Sequence, residues 1–542
     1  MSKSLKSILA ALLAVLMVLG MASCAKTPAS STAPTPSGSD ASSAASDAPK
    51  NAYAENGALP LTKDDVTLKI LTLYAENYAT GKAGTQKIWK WMTEQTGIKT
   101  DIEEYDAENM KTKLPLILST DDLPDVFLRV NFTSGDLLNY ASTNKIIALD
   151  QYIQDYGYYT KQLIEKYDYV NGALKAADGH VYSLAQFSSN HASTIGTCIN
   201  TDWLKNVGME MPTTLEELYT VLKAFKEQDA NKNGDPNDEI PMSARSISGN
   251  MTFQNTFMGY VGLAEYWPVS GATFDDKDGE VFMTRTSDNY RYLLSWLHKC
   301  YAEGLLDPEV FSHTGDQFTE KRTANRVGVE AGSASLTSNE YAEKYGIHGD
   351  YLEIGSKLGD PVFGSSFPFN PNLYTVSATC KNPELAFMFG DFMYNEDASW
   401  LALKGEEGVD FEWTNKDNYQ TKELANGNSW YILGNTWERD EWKPLASNEV
   451  GKQHDARVEK YRKDAWQHFL TFTQEETDQI SMLSTDISTV IDEAMVKFIT
   501  GEGRDIDNDD DWNAYVKQVT DLGLDDLTKV YQTAYNRFYG KG

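Results

Sequence analysis

Apolar and polar positions follow two different periods along the chain, and each change of period separates a predicted strand from a predicted helix. The runs 66–73, 98–104 and 125–130 are rich in β-forming residues or alternate in steps of two, which predicts strands. Residues 85–96 instead repeat in helical steps and end at Gly97, which predicts a helix between the first two strands. Strands that alternate with helices indicate an α/β lobe with a largely parallel sheet. A second region of this kind follows.

Longer amphipathic helices are predicted in the second half of the chain. Residues 214–228 place one apolar stripe on a helix, formed by Leu215, Leu218, Val221, Leu222 and Phe225. Asn382 and Pro383 form a start signal, with a capping residue followed by proline in the first turn. Near the C-terminus, apolar residues recur every three or four positions before Gly501: Ile480, Leu483, Ile487, Ile491, Met495 and Phe498. Residues 515–539 repeat this pattern with a break at Gly523, so the last third is predicted to be mostly helical.

The N-terminus has the order of a bacterial secretory signal. Lys3 and Lys6 precede the apolar stretch 8–20, which is too short for a comfortable transmembrane helix. Residues 21–24 (MASC) resemble a lipobox, in which the thiol of Cys24 is acylated and becomes the first residue of the mature protein. Ordinary signal peptidase cleavage, with Cys24 lost or inert, is the alternative. The lipobox predicts a protein anchored by lipid to the outer face of the cell membrane.

Composition divides the mature chain into a tether and a large folded part. Residues 25–50 are mostly Ala, Ser, Thr and Pro, and cannot bury enough apolar surface to fold. About 490 residues remain, which is too many for one core, so two or more lobes are expected.

Charge and cysteine content exclude several classes of protein. The formal charge is −31, and it becomes −33 once Lys3 and Lys6 leave with the signal. Such a surface repels nucleic acid and anionic lipid, so neither is an expected partner. Besides Cys24 there are three scattered cysteines, Cys198, Cys300 and Cys380, which fit no metal motif and are expected to be buried free thiols.

A run of oxygen-bearing side chains after the 214–228 helix resembles the opening half of an EF-hand loop. Asp229, Asn231 and Asn233 occupy the first, third and fifth positions, and Gly234 at the sixth allows a sharp turn. The twelfth position is Ile240 and not Glu, so the loop is not an EF-hand proper. A solvated turn rich in Asn, Asp and Gly is the alternative.

Four segments resemble family 1 extracellular solute-binding proteins of ABC importers, especially the large lipoprotein branch that includes alginate-binding proteins. They are LPLILSTDDLPDVF (114–127), DWLKNVGMEMPTTLEELYTVLKAFKEQDANKNGDPNDEIP (202–241), YAEGLLDPEVF (301–311) and KFITGEGRDIDNDDDWNAYVKQVTDLGLDDLTKVYQTAYNRF (497–538). The second segment is the most specific. Together they extend the resemblance from about residue 60 to the C-terminus.

The resemblance implies an α/β fold of the type II periplasmic-binding-protein kind, with two discontinuous lobes, a hinge and an extended helical C-terminal part. It places the signal at 1–23 and the lipidated cysteine and tether at 24–59. The first lobe would comprise 60–186 and 376–430, and the second lobe 187–375 and 431–542. Hinge crossings are expected near residues 183–188 and 374–378. The implied function is capture of a saccharide, or another small polar solute, by a monomer that delivers it to the transmembrane permease subunits.

The same resemblance implies a structural calcium ion in the 229–239 loop, which would close with adjacent Asp238 and Glu239. The implied ligands are Asp229, Asn231, Asn233, the carbonyl of Asp235, Asp238 and Glu239. All are hard oxygen donors, which suit Ca²⁺ better than zinc or copper. A second acidic run, 505–511, lacks a turn glycine and precedes a helix, where carboxylates are expected to serve the helix N-terminus instead.

The sequence contains no motif for catalysis. It has no Gly-x-Ser-x-Gly, His-Glu-x-x-His, P-loop or Gly-x-Gly-x-x-Gly motif, so we expect no enzyme. The abundance of Asp and Glu leaves a glycosidase carboxylate pair open by counting alone. A secreted carbohydrate-active enzyme and a sugar-sensing or adhesive surface receptor are therefore the alternatives to a transport protein.

Candidate ligand residues are those that follow predicted strands or lie in irregular segments. Ligand sites of α/β lobes lie beyond the carboxyl ends of the strands, and sugars pack apolar faces on aromatic rings. The candidates are Tyr74, Glu76 and Tyr78 after the first strand, Arg129 and Asn131 after the third, Gln186 and Asn190 at the first crossing, and Trp267 and Trp413. Loop packing is the alternative for each. Trp89, Trp91 and Trp203 are expected to pack in the core.

Overall fold

The computed structural model describes most of the chain after residue 50. The described residues are 51–73, 83–188, 196–245, 257–264, 273–331, 335–364, 369–415, 418–421, 433–442, 449–463 and 466–541. The predicted signal, Cys24 and residues 25–50 of the predicted tether lie outside them. Residues 51–59, which the predicted tether also includes, are described and contain a helix, Ala52–Asn56, with a buried Tyr53, so this end of the tether is folded. No helix within the described ranges combines the length and the apolar character that a membrane crossing needs.

Strands and helices alternate along the described chain. The strands are β1 (Val66–Leu73), β2 (Ile98–Tyr105), β3 (Val126–Leu128), β4 (Leu184–Phe187), β5 (Cys198–Asn200), β6 (Ile240–Ala244), β7 (Phe274–Lys277), β8 (Glu280–Met283), β9 (Val327–Ala331), β10 (Gly349–Tyr351), β11 (Phe363–Gly364), β12 (Phe369–Val376), β13 (Phe411–Asn415), β14 (Asn418–Thr421) and β15 (Arg462–Lys463). The helices are α1 (Ala52–Asn56), α2 (Lys87–Thr96), α3 (Ala107–Leu118), α4 (Ser134–Ser142), α5 (Asp150–Tyr156), α6 (Tyr159–Lys166), α7 (Val170–Ala173), α8 (Thr201–Val207), α9 (Leu215–Glu227), α10 (Asp288–Ala302), α11 (Gly315–Thr323), α12 (Asn339–Tyr345), α13 (Pro383–Phe392), α14 (Glu396–Leu403), α15 (Glu449–Val458), α16 (Gln474–Thr500), α17 (Asp509–Asp521) and α18 (Leu524–Phe538).

A five-stranded sheet in the order β2-β1-β3-β12-β4 organises what we call the first lobe. β1 is parallel to β2 and β3, whereas β12 runs antiparallel to β3 and β4. Alternate residues of β1 enter opposite cores, with Leu68 and Ile70 on one face of the sheet and Leu71 on the other. The sheet is therefore covered on both faces, as a largely parallel sheet requires.

A four-stranded sheet in the order β10-β5-β9-β6 organises the second lobe. One large core covers it, and helices α9, α10 and α16 to α18 contribute to that core. All five residues of the predicted stripe on α9 are buried. The two-lobed α/β fold with a helical C-terminal part is thus confirmed.

Several local predictions are confirmed and others are corrected. Gly97 and Gly501 end their helices in the left-handed conformation, with φ of 78° and 75°. β3 is shorter than predicted, because Arg129 has a positive φ of 54° and leaves the extended conformation. Asn382 makes no side-chain cap, so Pro383 alone marks the start of α13. Cys380 is partly exposed, whereas Cys198 and Cys300 are buried free thiols as expected.

The chain passes between the lobes more than once. It leaves the first sheet after β4 and enters the second at β5, and it returns to the first sheet at β12. Leu433 and Trp437 then pack in the core of the first lobe, and α15 packs on the second. The described residues therefore place 369–376 and 433–442 with the first sheet, whereas the sequence-based division assigns 369–375 and 433–442 to the second lobe. The limits of the lobes within the intervening segments stay a prediction.

Two contacts tie the ends of the described chain to the lobes. Tyr53 of α1 is buried, and its hydroxyl donates to Oδ2 of Asp391 at 2.8 Å in the first lobe. Asp391 also accepts hydrogen bonds from the Thr160 backbone N–H and hydroxyl at 2.8 and 2.6 Å. At the other end, α16 begins against α4 of the first lobe, whereas its later residues lie in the core of the second lobe.

Candidate functional site

The ends of the strands form two edges that border the space between the lobes. β1, β3 and β4 run in one direction and β12 runs in the other. The last residues of β1, β3 and β4 (Leu73, Leu128 and Phe187) and the first residue of β12 (Phe369) therefore lie at the same edge of the first sheet. In the second sheet, β6, β9 and β10 end and β5 begins at one edge. The segments that follow β4 and precede β12 connect these two edges. We infer that both edges face the inter-lobe cleft, where an α/β fold binds its ligand.

Backbone strain is concentrated at the end of β3. Arg129 and Asn131, both predicted ligand residues, have positive φ values of 54° and 64°. Asn372, on the neighbouring strand β12, has a φ of 61° and donates its amide to the Phe132 carbonyl at 3.0 Å. Left-handed conformations outside glycine are uncommon and costly, and they cluster at functional sites. Asn131 is exposed at this edge and Arg129 is half-buried.

Gln186, at the end of β4, belongs to a polar cluster that includes a distant segment. The backbone of Phe187 pairs with Thr436 and Glu438, so residues 436–438 extend the sheet beyond β4. Gln186 donates its amide to Oγ1 of Thr436 at 3.1 Å. Ser188 donates to one carboxylate oxygen of Glu438 at 2.9 Å, and Lys404 donates to the other at 3.0 Å. Each of these polar groups is thereby held at the point where the chain leaves for the second lobe.

Trp413, in strand β13, is a partly exposed aromatic residue that packs on helix α14. Its ring is 37% exposed and stacks on Trp400, with centroids 6.1 Å apart and planes inclined by 22°. Trp442 and Phe411 pack edge-on against Trp400, at 5.0 and 5.8 Å. Trp400 lies one helical turn before Lys404, which contacts Glu438. Trp413 thus stacks on the same helix, α14, whose end supplies Lys404 to the polar cluster.

The structure does not bring together all the predicted ligand residues. Tyr74, Glu76, Tyr78, Asn190 and Trp267 lie outside the described residues. Trp89 and Trp203 are buried as expected, and Trp91 stacks on Phe392 at 6.0 Å. Sequence reasoning missed Thr436, Glu438 and Lys404, because they reach the edge of the sheet only through a pairing between segments about 250 residues apart.

The 229–239 loop folds its oxygen-bearing side chains toward one another. Asn231 and Asn233 direct their amides at the two carboxylate oxygens of Asp238, at 3.1 and 2.9 Å. Oδ1 of Asp229 accepts the backbone N–H of Asn233 at 3.1 Å, and Gly234 turns the chain with a φ of 92°. Because a half-turn of an Asn amide exchanges its nitrogen and oxygen, the same side-chain positions can present oxygens to a cation.

Glu239 supplies the observation that points to a cation. Its Oε1 accepts the backbone N–H of Ala230 at 2.9 Å, whereas Oε2 is buried and has no hydrogen-bond partner. Burial raises the pKa of this carboxyl group, and the charge of Asp238 adds to the effect. Within the described ranges, no three His, Cys, Asp or Glu side chains lie close enough together to hold a metal. A cation here would therefore need amide and carbonyl oxygens besides the carboxylates, and the donor set of this loop contains them.

The second acidic run has structural partners. Asn508 caps α17, and three aspartates occupy the first turn of that helix. Arg291 binds Asp509 at 2.7 Å, and Ser295 donates to Asp507 at 2.9 Å. The predicted role at a helix N-terminus is confirmed.

Comparison with known proteins identifies relatives over nearly the whole chain. The family model described as bacterial extracellular solute-binding protein matches residues 75–400. The fructooligosaccharide ABC transporter substrate-binding protein FusA of Streptococcus pneumoniae serotype 4 (strain ATCC BAA-334 / TIGR4) is 26% identical, over 89% of this chain and 92% of its own length. Lipoprotein LipO of Bacillus subtilis (strain 168) is 22% identical, over 82% of this chain and 88% of its own.

Solved structures show the same fold. An extracellular solute-binding protein from Bifidobacterium longum subsp. infantis matches with a TM-score of 0.73 and 20% identity, covering 88% of this chain and 98% of its own. An EF-hand mutant of S. pneumoniae FusA in complex with fructo-nystose matches with a TM-score of 0.67 and 23% identity, covering 88% and 100%.

Proposed function

Because the chain belongs to the bacterial extracellular solute-binding proteins, whose family model spans residues 75–400, we propose that it captures an oligosaccharide for an ABC importer. The ligand would lie between the two strand-end edges and be delivered to the transmembrane permease subunits. FusA, named for fructooligosaccharides and aligned over 89% of this chain, supports a saccharide ligand. The observation that carries the proposal is the partly exposed Trp413, which stacks on the helix whose end supplies Lys404 to the polar edge of the first sheet.

Each part of this edge suits one part of a sugar. The face of Trp413 can pack against the C–H groups of a pyranose or furanose ring. Asn131 and Arg129 are held at the end of β3 by a strained backbone and can bind hydroxyls. Gln186, already bonded to Thr436, keeps its side-chain oxygen for a ligand hydroxyl. Tyr74, Glu76, Tyr78, Asn190 and Trp267 remain proposed members of the same site.

A structural calcium ion is proposed for the 229–239 loop. Asp229, Asn231, Asn233, Asp238 and Glu239 would bind it through side-chain oxygens, and Asp235 through its carbonyl. The buried Oε2 atom of Glu239 supports this assignment. When bound, the ion supplies positive charge that joins the end of α9 to the start of β6.

Attachment to the outer face of the cell membrane through acylated Cys24 is proposed from the lipobox, and the relation to lipoprotein LipO supports it. The protein would act as a monomer. The relatives named above are binding or lipoproteins, which fits a protein that is not an enzyme.

Calorimetric titration of the purified protein with kestose and fructo-nystose tests the proposal, and acidic uronate oligosaccharides serve as the comparison. We expect saturable binding of a neutral oligosaccharide, and chromatography of the recovered sugar should show no cleavage. Hydrolysis of the sugar would instead indicate a carbohydrate-active enzyme. Absence of binding across both classes of saccharide would contradict the proposed ligand.

A further inference from the structure

A groove on the outer surface of the second lobe has the size of a ligand site. It lies between α9 and α10 and has a volume of about 510 Å³, within the range of sites that hold small molecules. On α10 its lining residues recur at helical spacing and so share one face: Tyr292, Ser295, Trp296 and Lys299. None of its lining residues belongs to the strand ends that border the cleft.

Two similar groups of side chains form the walls of the groove. The hydroxyl of Tyr219 donates to Glu303 at 2.6 Å, and the ammonium of Lys299 lies 3.7 Å from the centroid of the Tyr219 ring. The hydroxyl of Tyr292 donates to Glu216 at 2.5 Å, and the ammonium of Lys357 lies 4.4 Å from its ring. Each group thus combines an aromatic ring, a carboxylate acceptor and an ammonium donor.

A buried tryptophan forms the floor between these walls. Trp296 is 7% exposed, and its indole N–H donates to the Leu215 carbonyl at 3.1 Å. The hydrogen bond to Glu303, with some burial, raises the pKa of Tyr219 to about 12, and burial with the hydrogen bond to Glu216 raises the pKa of Tyr292 above its ordinary value. Both phenols therefore stay protonated at neutral pH.

The charges of the groove favour an uncharged ligand. Its carboxylates are Glu216, Glu303 and Asp507, and its ammonium groups are Lys299 and Lys357. A polyanion would meet three carboxylates there, whereas sugar hydroxyls can donate to a carboxylate and accept from an ammonium group at once.

We propose that the α9–α10 groove is a second saccharide site, which binds a neutral oligosaccharide or polysaccharide segment independently of the inter-lobe cleft. The choice of ligand class rests on the proposed function, whereas the groove and its chemistry do not. Such a site would hold the protein on a glycan chain while the cleft takes up one fragment.

The test determines how many saccharide sites the protein has and which of them lies in the groove. Titration with fructo-nystose, together with affinity electrophoresis in soluble inulin, should reveal two classes of site in the native protein. Glu216→Gln and Tyr292→Ala should weaken the groove site at least tenfold and leave the cleft site unchanged. Glu108→Gln is the matched control, because Glu108 is also an exposed first-turn glutamate that contacts a single partner, Lys111, at 2.7 Å in the other lobe. The melting temperature of Tyr292→Ala is measured to check that this variant folds. If its melting temperature is lower than that of the native protein, Glu216→Gln alone provides the test.

A single site that disappears in Trp413→Ala and persists in both groove variants would overturn the groove proposal while leaving the proposed function intact. Groove binding that persists in Trp413→Ala would support the proposal even if the cleft assignment fails. Unchanged saccharide binding in the groove variants, with loss of uptake in cells, would assign the groove to a protein partner and overturn the proposal.

Discussion

Removal of calcium should lower the stability of the protein by an amount that the 229–239 loop predicts. If the loop binds calcium with a dissociation constant of about 10 μM and calcium is about 1 mM, binding stabilises the folded state by about 2.7 kcal/mol. The buried Oε2 atom of Glu239 has no hydrogen-bond partner without the ion, and an unsatisfied buried acceptor costs about 1–3 kcal/mol, which agrees in size. For a fold of about 490 residues, an unfolding entropy of about 2.1 cal/mol/K per residue converts 2.7 kcal/mol into about 3 °C.

The assay is differential scanning calorimetry in 1 mM calcium and in excess chelator. Glu239→Gln should abolish the difference between the two melting temperatures. Asp510→Asn is the matched control, because this aspartate belongs to the acidic first turn of α17 and lies outside the loop. Equal melting temperatures with and without calcium, combined with no calcium in elemental analysis, would refute the reasoning.

The same carboxyl group gives the calcium effect a pH dependence. Burial raises the pKa of Glu239 above its ordinary value of 4.5 in the calcium-free fold. Protonation of Glu239 therefore stabilises the calcium-free fold below pH 4.5. This stabilisation is lost as the pH rises through the raised pKa of Glu239. Because calcium binds the ionised carboxylate, the melting difference should grow from about pH 5 to pH 7. A constant difference across this range would remove Glu239 from the ligand set.

Four further predictions concern the cleft, lobe closure, the anchor and the first lobe. Trp413→Ala should cost about 2 kcal/mol or more of saccharide affinity in calorimetry while the protein remains folded, and full affinity would mean that Trp413 does not line the site. Small-angle scattering should show compaction with the bound saccharide, and tight binding without compaction would argue against lobe closure. Cys24→Ser should prevent lipid labelling and release the protein or leave the signal uncleaved, and unchanged labelling would contradict the lipoprotein assignment. Asp391→Ala should destabilise the first lobe by about 3 kcal/mol, because it leaves the buried Tyr53 and Thr160 donors without their acceptor, and an unchanged denaturation midpoint would contradict this.

Local signals in the sequence predicted the elements well. The β1 strand at Val66–Leu73 and the buried stripe of α9 follow from periodicity, since both depend on contacts that repeat within one element. α2 and α16 end at Gly97 and Gly501 as predicted, because both residues adopt the left-handed conformation that ends a helix and that glycine adopts readily. Resemblance to a known family supplied the two-lobed arrangement, which periodicity alone could not.

Contacts between distant segments were beyond the reach of these signals. Nothing in the composition around Thr436 or Glu438 marks them as neighbours of β4, because their pairing forms only in the folded protein. The sequence around Trp413 predicts an irregular segment, whereas the structure places Trp413 in strand β13 and stacks it on Trp400 of a helix. The ligand residues chosen from the sequence therefore remain proposals, and Thr436, Glu438 and Lys404 were not among them.

Helix α16 affects how the lobes can move relative to each other. A Cβ atom at Gly135 of α4 would lie 2.8 Å from Oε1 of Gln474 and 3.2 Å from Oγ1 of Thr477, so the two helices nearly touch at their surfaces. The later turns of α16 are fixed in the second lobe through Ile487, Ile491 and Phe498. If the lobes rotate about the crossing strands, the first turn of α16 consequently has to move along α4. If saccharide binding closes the lobes, a bulkier side chain at Gly135 is therefore expected to hinder that closure.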